Sequence, residues 1–163
     1  MTHQIMAGEV RRYQGPSARS KRVGKHDVLM EALRNTPLFS LATDRELRRV
    51  AAQAEKIVAM SGTTLMEEGE AGNRFYVVLE GGVRLSRNGR TIATLGPGRS
   101  FGELSLLTTA PRNATATAVD DTELVAFSRR AFGKLIDDGP LFARRLMQAM
   151  AARLREHDAK SVQ

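Results

Sequence analysis

The chain of 163 residues contains no cysteine and no tryptophan, and aromatic residues make up 5% of it. Because cysteine is absent, the chain can form no disulfide, no thiolate metal ligand and no nucleophilic thiol, and its composition is compatible with a reducing compartment. No apolar stretch approaches the length of a membrane span, and residues 1–10 lack the charged-then-apolar layout of a secretory signal. We predict no membrane span and a cytoplasmic location.

Residue types that commonly carry out catalysis or bind metals are scarce or scattered. The three histidines are spread along the chain as His3, His26 and His157. They do not have the spacing of a metal-ligand motif, and Ser105 lacks the flanking glycines of a nucleophile elbow. The acidic turn at residues 67–70 could bind a cation, but we favour a solvated turn. We therefore predict a protein that is not an enzyme and binds no metal.

The formal net charge of +7 is concentrated at the two ends of the chain. Residues 1–26 carry six basic side chains against one acidic, residues 129–163 carry eight against four, and residues 27–128 carry eleven against thirteen. A basic chain can indicate a nucleic-acid partner, but an excess of charge in a terminal segment supports that partner less than a basic folded face would. We predict that residues 1–26 are a basic flexible tail, with an electrostatic arm for an acidic partner as the alternative.

Residues 27–160 are predicted to be a single domain that begins with helices. Within residues 28–54, apolar side chains recur at helical spacing on both sides of Pro37, which ends the first helix. Either Thr43 or Asp44 can cap the second helix.

Residues 56–128 have the pattern of short β-strands. Apolar and polar residues alternate over runs that glycine turns separate, and Asn88-Gly89 is typical of a tight hairpin because both positions need a positive φ. Helical spacing returns in residues 129–156, most regularly over residues 141–155. The predicted fold class is α+β: an antiparallel β-roll, similar to a jelly roll, flanked by helices at both ends.

The most informative stretch is residues 101–118, which a glycine-rich turn precedes. After Gly102, residues 103–109 predict about two turns of helix that a proline ends, and Arg112 then leads into an alternating strand. Backbone N–H groups at a helix N-terminus point toward an anion and a guanidinium supplies the counter-charge, so this arrangement suits one phosphate. Glu103 suits the helix dipole and could equally accept hydrogen bonds from sugar hydroxyls.

This stretch resembles the phosphate-binding cassette of the cyclic nucleotide-binding domain family, whose pattern is Phe-Gly-Glu, two or three apolar residues, then Pro-Arg-x-Ala-Thr. Phe101-Gly102-Glu103 and residues 111–115 match the two ends of that pattern. The resemblance implies that Glu103 binds the ribose 2′-hydroxyl and Arg112 the cyclic phosphate, with Thr115 near the base and the other residues lining the pocket through their backbone. The implied ligand-binding residues are Gly102, Glu103, Leu104, Arg112, Asn113, Ala114 and Thr115.

The resemblance extends over the rest of the predicted domain. It implies an N-terminal helical bundle with an elbow at Leu38-Phe39 that moves when ligand binds, a short phosphate-binding helix inside the β-roll, and hinge and lid helices over residues 129–156. It also implies a homodimer through the helix of residues 141–155. In the family, threonine after the phosphate-binding arginine tends to accompany cGMP, and alanine or serine accompanies cAMP. Asn113 departs from both, and we predict cAMP as the ligand, with cGMP less favoured.

The function predicted is that of a non-catalytic cyclic nucleotide sensor, which changes the position of its C-terminal helices on binding and signals to an unidentified downstream protein. Two alternatives stay open. One is a regulatory fragment of a larger effector or DNA-binding transcription regulator, although the residues after Arg155 are too few for a helix-turn-helix domain within this sequence. The other is an adaptor whose nucleotide site is silent and whose partner binds the basic tail and the long helix.

Overall fold

The computed structural model describes residues 10–11 and 24–161. The helices are α1 (Lys25–Asn35), α2 (Asp44–Ala51), α3 (Arg129–Asp138) and α4 (Pro140–Ser161), with 3-10 helices at Pro37–Phe39 and Glu103–Leu106. The strands are β1 (Val10–Arg11), β2 (Glu55–Ala59), β3 (Thr64–Met66), β4 (Arg74–Glu80), β5 (Val83–Arg87), β6 (Arg90–Leu95), β7 (Ser100–Phe101), β8 (Thr115–Ala118) and β9 (Thr122–Ser128).

The strands form two sheets, in which every pairing within the described residues is antiparallel. The five-stranded sheet has the order β1-β2-β9-β4-β7, and the four-stranded sheet has the order β3-β8-β5-β6. The β5–β6 hairpin turns at Asn88, with φ of 52°, and Gly89, with φ of 77°, as the Asn-Gly pair predicts. The predicted α+β class and antiparallel β-roll are confirmed.

Strand β4 lies between two hydrophobic cores. Phe75 and Val77 belong to a core shared with the helices, whereas Tyr76 and Val78 belong to the core between the sheets. Successive side chains of a strand point to opposite faces, so a strand that is buried on both faces has a continuous apolar sequence.

An aromatic cluster joins the N-terminal and C-terminal helices to the five-stranded sheet. The ring of Phe39 lies 6.0 Å from that of Phe75, 5.8 Å from that of Phe132 and 6.4 Å from that of Phe142, measured between centroids. Phe39 is 1% exposed, so the segment predicted to be an elbow contributes a side chain to the centre of the core.

The N-terminal helices agree with the sequence pattern, with shifted boundaries. Thr43 caps α2: its hydroxyl accepts a hydrogen bond from the Glu46 amide at 3.2 Å, and its own amide donates to the Glu46 carboxylate at 2.8 Å. This reciprocal pair is a capping box. Helix α1 begins at Lys25, so it includes the last two residues of the segment that we predicted as a tail.

Two strands were not predicted, because each has only two residues and gives no alternating pattern. One of them, β1, pairs with β2 and lies inside the predicted basic tail, so those two residues are not a free tail. The rest of the tail prediction, over residues 1–9 and 12–23, lies outside the described residues.

Helix α4 extends to Ser161, beyond the predicted end at residue 156. Only part of its predicted apolar stripe is buried: Phe142 and Leu146 pack in the core, whereas Leu141 is 64% exposed and Leu154 is 65% exposed. Among the described residues, no helix is both long enough and apolar enough to cross a membrane.

Candidate functional site

The segment between β7 and β8 forms the candidate site, and its helix is shorter than predicted. Gly102 has φ of 80°, a left-handed conformation that favours glycine, and it precedes the 3-10 helix Glu103–Leu106. We predicted about two helical turns over residues 103–109, and this was wrong. The Thr108 amide still donates to the Leu104 carbonyl at helical spacing, at 2.9 Å. The Ser105 carbonyl, which would accept from the amide of residue 109 in a longer helix, instead accepts from Arg129 Nε at 2.7 Å, and the chain leaves the helix before Pro111.

Arg112 is the most unusual side chain of this segment because it is a buried cation, only 8% exposed. Its Nη1 donates to the Gly102 carbonyl at 3.4 Å and to the Ser105 hydroxyl, and its Nη2 donates to the Arg74 carbonyl at 2.8 Å. All of these acceptors are uncharged, and none of the ion pairs in the described part of the chain involves Arg112.

The electrostatic surroundings of Arg112 favour an anion. Burial lowers the pKa of Arg112, the nearby Tyr76 acts in the opposite direction, and the positive charge of Arg129 lowers the pKa further. An arginine nevertheless stays protonated at neutral pH. A buried guanidinium whose acceptors among the described residues are all neutral oxygens can therefore be stabilised by binding an anion.

Two glycines leave the space that the Arg112 side chain occupies. A Cβ atom on Gly72 would lie 1.9 Å from Arg112 Nε, and a Cβ atom on Gly102 would lie 2.7 Å from Arg112 Nη1. Neither glycine could become alanine without displacing the guanidinium. The position of Arg112 is thus fixed by two segments that are distant in sequence, residues 72–74 and residues 102–105.

Helix α4 reaches the site through an ion pair. Arg153 Nη1 lies 2.6 Å from Glu103 Oε1, and the side chains are 48% and 17% exposed, respectively. The sequence did not lead us to predict Arg153. A signal for it exists, since Arg153 continues the buried stripe of Phe142, Leu146 and Ala149 at helical spacing, where an apolar residue would be expected.

These residues surround a cleft of about 310 Å³. Five of the seven predicted site residues line it, namely Gly102, Glu103, Leu104, Arg112 and Asn113. Residues that line it without having been predicted are Met66, Ser105, Thr108, Ala110, Pro111 and Arg153.

The other two predicted residues, Ala114 and Thr115, follow the cleft along the chain. Ala114 is 2% exposed and packs in the core between the sheets. The Thr115 hydroxyl accepts a hydrogen bond from the Glu68 amide at 3.0 Å. Contact of any of the seven residues with a ligand stays a prediction.

The β5–β6 hairpin supports the far end of the cleft. Arg87 Nε donates to the Asn113 carbonyl at 2.8 Å, and the Asn88 amide donates to the Glu68 carboxylate at 3.0 Å. The backbone of Asn113 is thereby attached to the four-stranded sheet, while its side chain is exposed beside the cleft. Among the described residues, no group of histidine, cysteine or acidic side chains could hold a metal ion.

Comparison with known proteins gives a consistent result. Residues 56–138 match the family described as cyclic nucleotide-binding domain. The cyclic AMP receptor protein of Thermus thermophilus is 38% identical over 131 residues, which cover 77% of this chain and 61% of that protein. The chain spans about three fifths or less of the length of the curated relatives that it first matches.

Solved structures give the same relationship. The N-terminal domain of a transcriptional regulator from Streptomyces coelicolor A3(2) is similar with a TM-score of 0.73 and 34% identity, covering 78% of this chain and 95% of that one. The regulatory domain of Toxoplasma gondii PKA, solved with cAMP, is similar with a TM-score of 0.63 and 32% identity, covering 74% of this chain and 48% of that one.

Proposed function

Because the chain belongs to the cyclic nucleotide-binding domain family, we propose that it is a non-catalytic sensor of a cyclic nucleotide, with cAMP as the ligand. The observation that carries this proposal is the buried Arg112, whose guanidinium bonds to neutral oxygens alone within the part of the chain that the structure describes. A cyclic phosphate carries one negative charge and can replace the Ser105 hydroxyl or the Gly102 carbonyl as an acceptor.

The remaining groups of the cleft suit the sugar and the base. Glu103 is a carboxylate with acceptor capacity beyond its contact with Arg153, so it can accept a ribose hydroxyl. The side chain of Asn113 can both donate and accept and it lines the cleft, so we expect it to contact a purine edge. The volume of about 310 Å³ lies near the lower end of the range of about 300–1,000 Å³ for ligand pockets, which suits a ligand of nucleotide size.

Ligand binding is coupled to the C-terminal helices in this proposal. Leu106, in the 3-10 helix of the cleft, packs in the same hydrophobic core as Phe132 of α3 and Phe142 of α4. A shift of the 3-10 helix therefore disturbs the packing of both helices. The ligand favours the conformation to which it binds more tightly, and the position of α4 is the signal to a downstream protein.

The test of this function is isothermal titration of the chain with cAMP, with cGMP and with the non-cyclic 5′-AMP as a control. We expect cAMP to bind with micromolar or lower Kd, cGMP to bind more weakly and 5′-AMP to give no comparable heat. Absence of binding by both cyclic nucleotides would overturn the sensor, and an adaptor with a silent nucleotide site would take its place. A lower Kd for cGMP than for cAMP would overturn the choice of ligand alone.

We also propose that two copies of the chain associate through residues 141–155. Leu141, Met147 and Leu154 are 64%, 66% and 65% exposed on α4, which leaves apolar surface for a second copy. Sedimentation equilibrium of the wild type and of Leu154→Asp tests this. We expect a dimer that the substitution weakens, and a wild-type monomer at all concentrations would contradict it.

A further inference from the structure

We propose that Arg129, the first residue of α3, is the positioning residue that transmits occupancy of the Arg112 site to α3, and that it acts through Ser105. This inference rests on the proposed function, because it concerns how ligand at that site moves the C-terminal helices. The juxtaposition that carries it is one residue, Ser105, bonded by two different arginines through two different atoms.

Arg129 connects the start of α3 to two segments of backbone around the cleft, residues 72–73 and residues 105–108. Its Nε donates to the Ser105 carbonyl at 2.7 Å, and its Nη2 donates to the Gly72 carbonyl at 2.7 Å and to the Thr108 carbonyl at 2.9 Å. Its own amide donates to the Asn73 carbonyl at 2.8 Å. The start of α3 is therefore fixed to both the 3-10 helix and the β3–β4 turn.

Arg112 contacts the same two segments from the side of the cleft. It donates to the hydroxyl of Ser105, which is 6% exposed, and it lies against Gly72 so closely that a Cβ atom there would be 1.9 Å from Nε. Neither Arg112 nor Arg129 takes part in any ion pair of the described residues. Two guanidinium groups thus share Ser105 and Gly72 with no carboxylate between them.

In this arrangement, binding of an anion at Arg112 displaces α3. When Arg112 bonds to a phosphate, it gives up some of its donors to the Ser105 hydroxyl and the Gly102 carbonyl, and the 3-10 helix is released from it. Arg129 still holds the Ser105 and Thr108 carbonyls. Because the guanidinium is planar and its donors have fixed directions, a shift of those carbonyls turns Arg129 about its bonds to the Gly72 and Asn73 carbonyls, and the first turn of α3 turns with it.

A purely structural role for Arg129 makes a different prediction. If its three bonds only stabilise the fold, its removal lowers the free energy of unfolding and weakens nucleotide binding, but the saturated protein still reaches the wild-type position of α4. If Arg129 transmits occupancy, the saturated variant binds nucleotide without completing the movement. The decisive readout is therefore the position of α4 at saturation and not the affinity.

The absence of cysteine from the chain allows this position to be measured with two introduced labels. Thr94 on β6 and Gln148 on α4 are both exposed, so Thr94→Cys and Gln148→Cys can carry spin labels for a pulsed electron resonance distance measurement. Labelled protein is diluted into excess unlabelled protein, so that the distance is measured within one copy of the chain. The labelled background, Arg129→Gln and the control Arg130→Gln are compared with and without saturating cAMP. Arg130 is the exposed neighbour in the same helix, and its substitution removes the same charge.

We expect cAMP to shift the label distance in the background and in Arg130→Gln, and we expect most of that shift to be lost in Arg129→Gln at saturation. The affinity of Arg129→Gln falls by up to the coupling factor, typically about 5- to 150-fold. Arg129→Lys keeps the positive charge but not the planar set of guanidinium N–H donors, so we expect it also to lose part of the change in label distance. It serves in place of Arg129→Gln if the latter does not fold.

Two results would overturn the inference, and they are distinguishable. A full wild-type shift in both Arg129 variants at saturation would show that Arg129 does not transmit occupancy, while the sensor function stands. A background protein that binds neither cAMP nor cGMP in the titration would remove the proposed function and this inference with it.

Discussion

The ion pair between Arg153 and Glu103 could either strengthen or weaken cAMP binding, and removing Arg153 distinguishes the two effects. Glu103 accepts Arg153 at 2.6 Å through Oε1, so the residue proposed to bind the ribose is already held by α4. A carboxylate has about four acceptor positions, and Arg153 uses one oxygen. We therefore expect Arg153 to orient Glu103 and hold α4 over the ligand, and Arg153→Ala to weaken cAMP binding.

The binding free energy lost in Arg153→Ala can be estimated from the distance and the exposure of the ion pair. At 2.6 Å, Coulomb's law gives about 1.6 kcal/mol in the dielectric of water. The Arg153 side chain is 48% exposed, so solvent screens the pair, and ordering a long side chain opposes it. A net contribution of about 1 kcal/mol, near the top of the range for exposed pairs, is reasonable. It corresponds to roughly a fivefold higher Kd for the variant.

Isothermal titration with cAMP at low and high salt measures this effect. The matched control is Arg155→Ala, which removes an exposed arginine two positions away in α4. We expect the control to bind like the wild type, and the loss in Arg153→Ala to shrink as salt screens the pair. Tighter binding by Arg153→Ala would refute the reasoning, because it would mean that Arg153 competes with the ribose for Glu103.

Three further predictions test the site and the core. Gly72→Ala displaces Arg112 and should raise the Kd for cAMP in the same titration, whereas Gly133→Ala, with open space around its Cβ, should bind like the wild type. Phe39→Ala should lower the free energy of unfolding in urea by about 3–5 kcal/mol, because Phe39 is fully buried; a loss below about 1 kcal/mol would contradict the role of the aromatic cluster. Burial raises the pKa of Tyr76 above its usual value of 10.0, so its contribution to stability is present below pH 10.0 and lost as pH rises through the higher pKa of the folded state. Tyr76→Phe should lose less stability than the wild type in that alkaline range. Identical dependence of the free energy of unfolding on alkaline pH in the two proteins would contradict this prediction.

Most of the β-roll could be predicted from the sequence because its signals are local. The hairpin at Asn88-Gly89 depends on two adjacent residues, and the continuous apolar sequence of β4 reflects burial on both faces of a single strand. The N-terminal cap at Thr43 is equally local. Strands β1 and β7 escaped prediction because a pair of residues has no period, and their pairing depends on partners distant in sequence.

Only the part of the candidate site that lies within one continuous sequence motif could be predicted. Glu103 and Arg112 lie within that motif, and the structure places both on the same cleft. Arg153 lies 50 residues from Glu103, and Arg129 reaches Gly72 across 57 residues, so their roles depend on how the helices pack. The short helix was predicted too long, because the helical pattern could not reveal that Arg129, 24 residues away, binds the Ser105 carbonyl that a longer helix would use.

The central claim, that Arg112 is the anion receptor of a nucleotide site, is tested most directly by titrating Arg112→Ala with cAMP beside the wild type. The matched control is Arg84→Ala, an equal loss of charge at an exposed position of β5. We expect wild type and control to bind alike and Arg112→Ala to lose about 2–5 kcal/mol of binding free energy, roughly thirtyfold or more in Kd. Binding by a folded Arg112→Ala variant with the wild-type Kd would contradict the account.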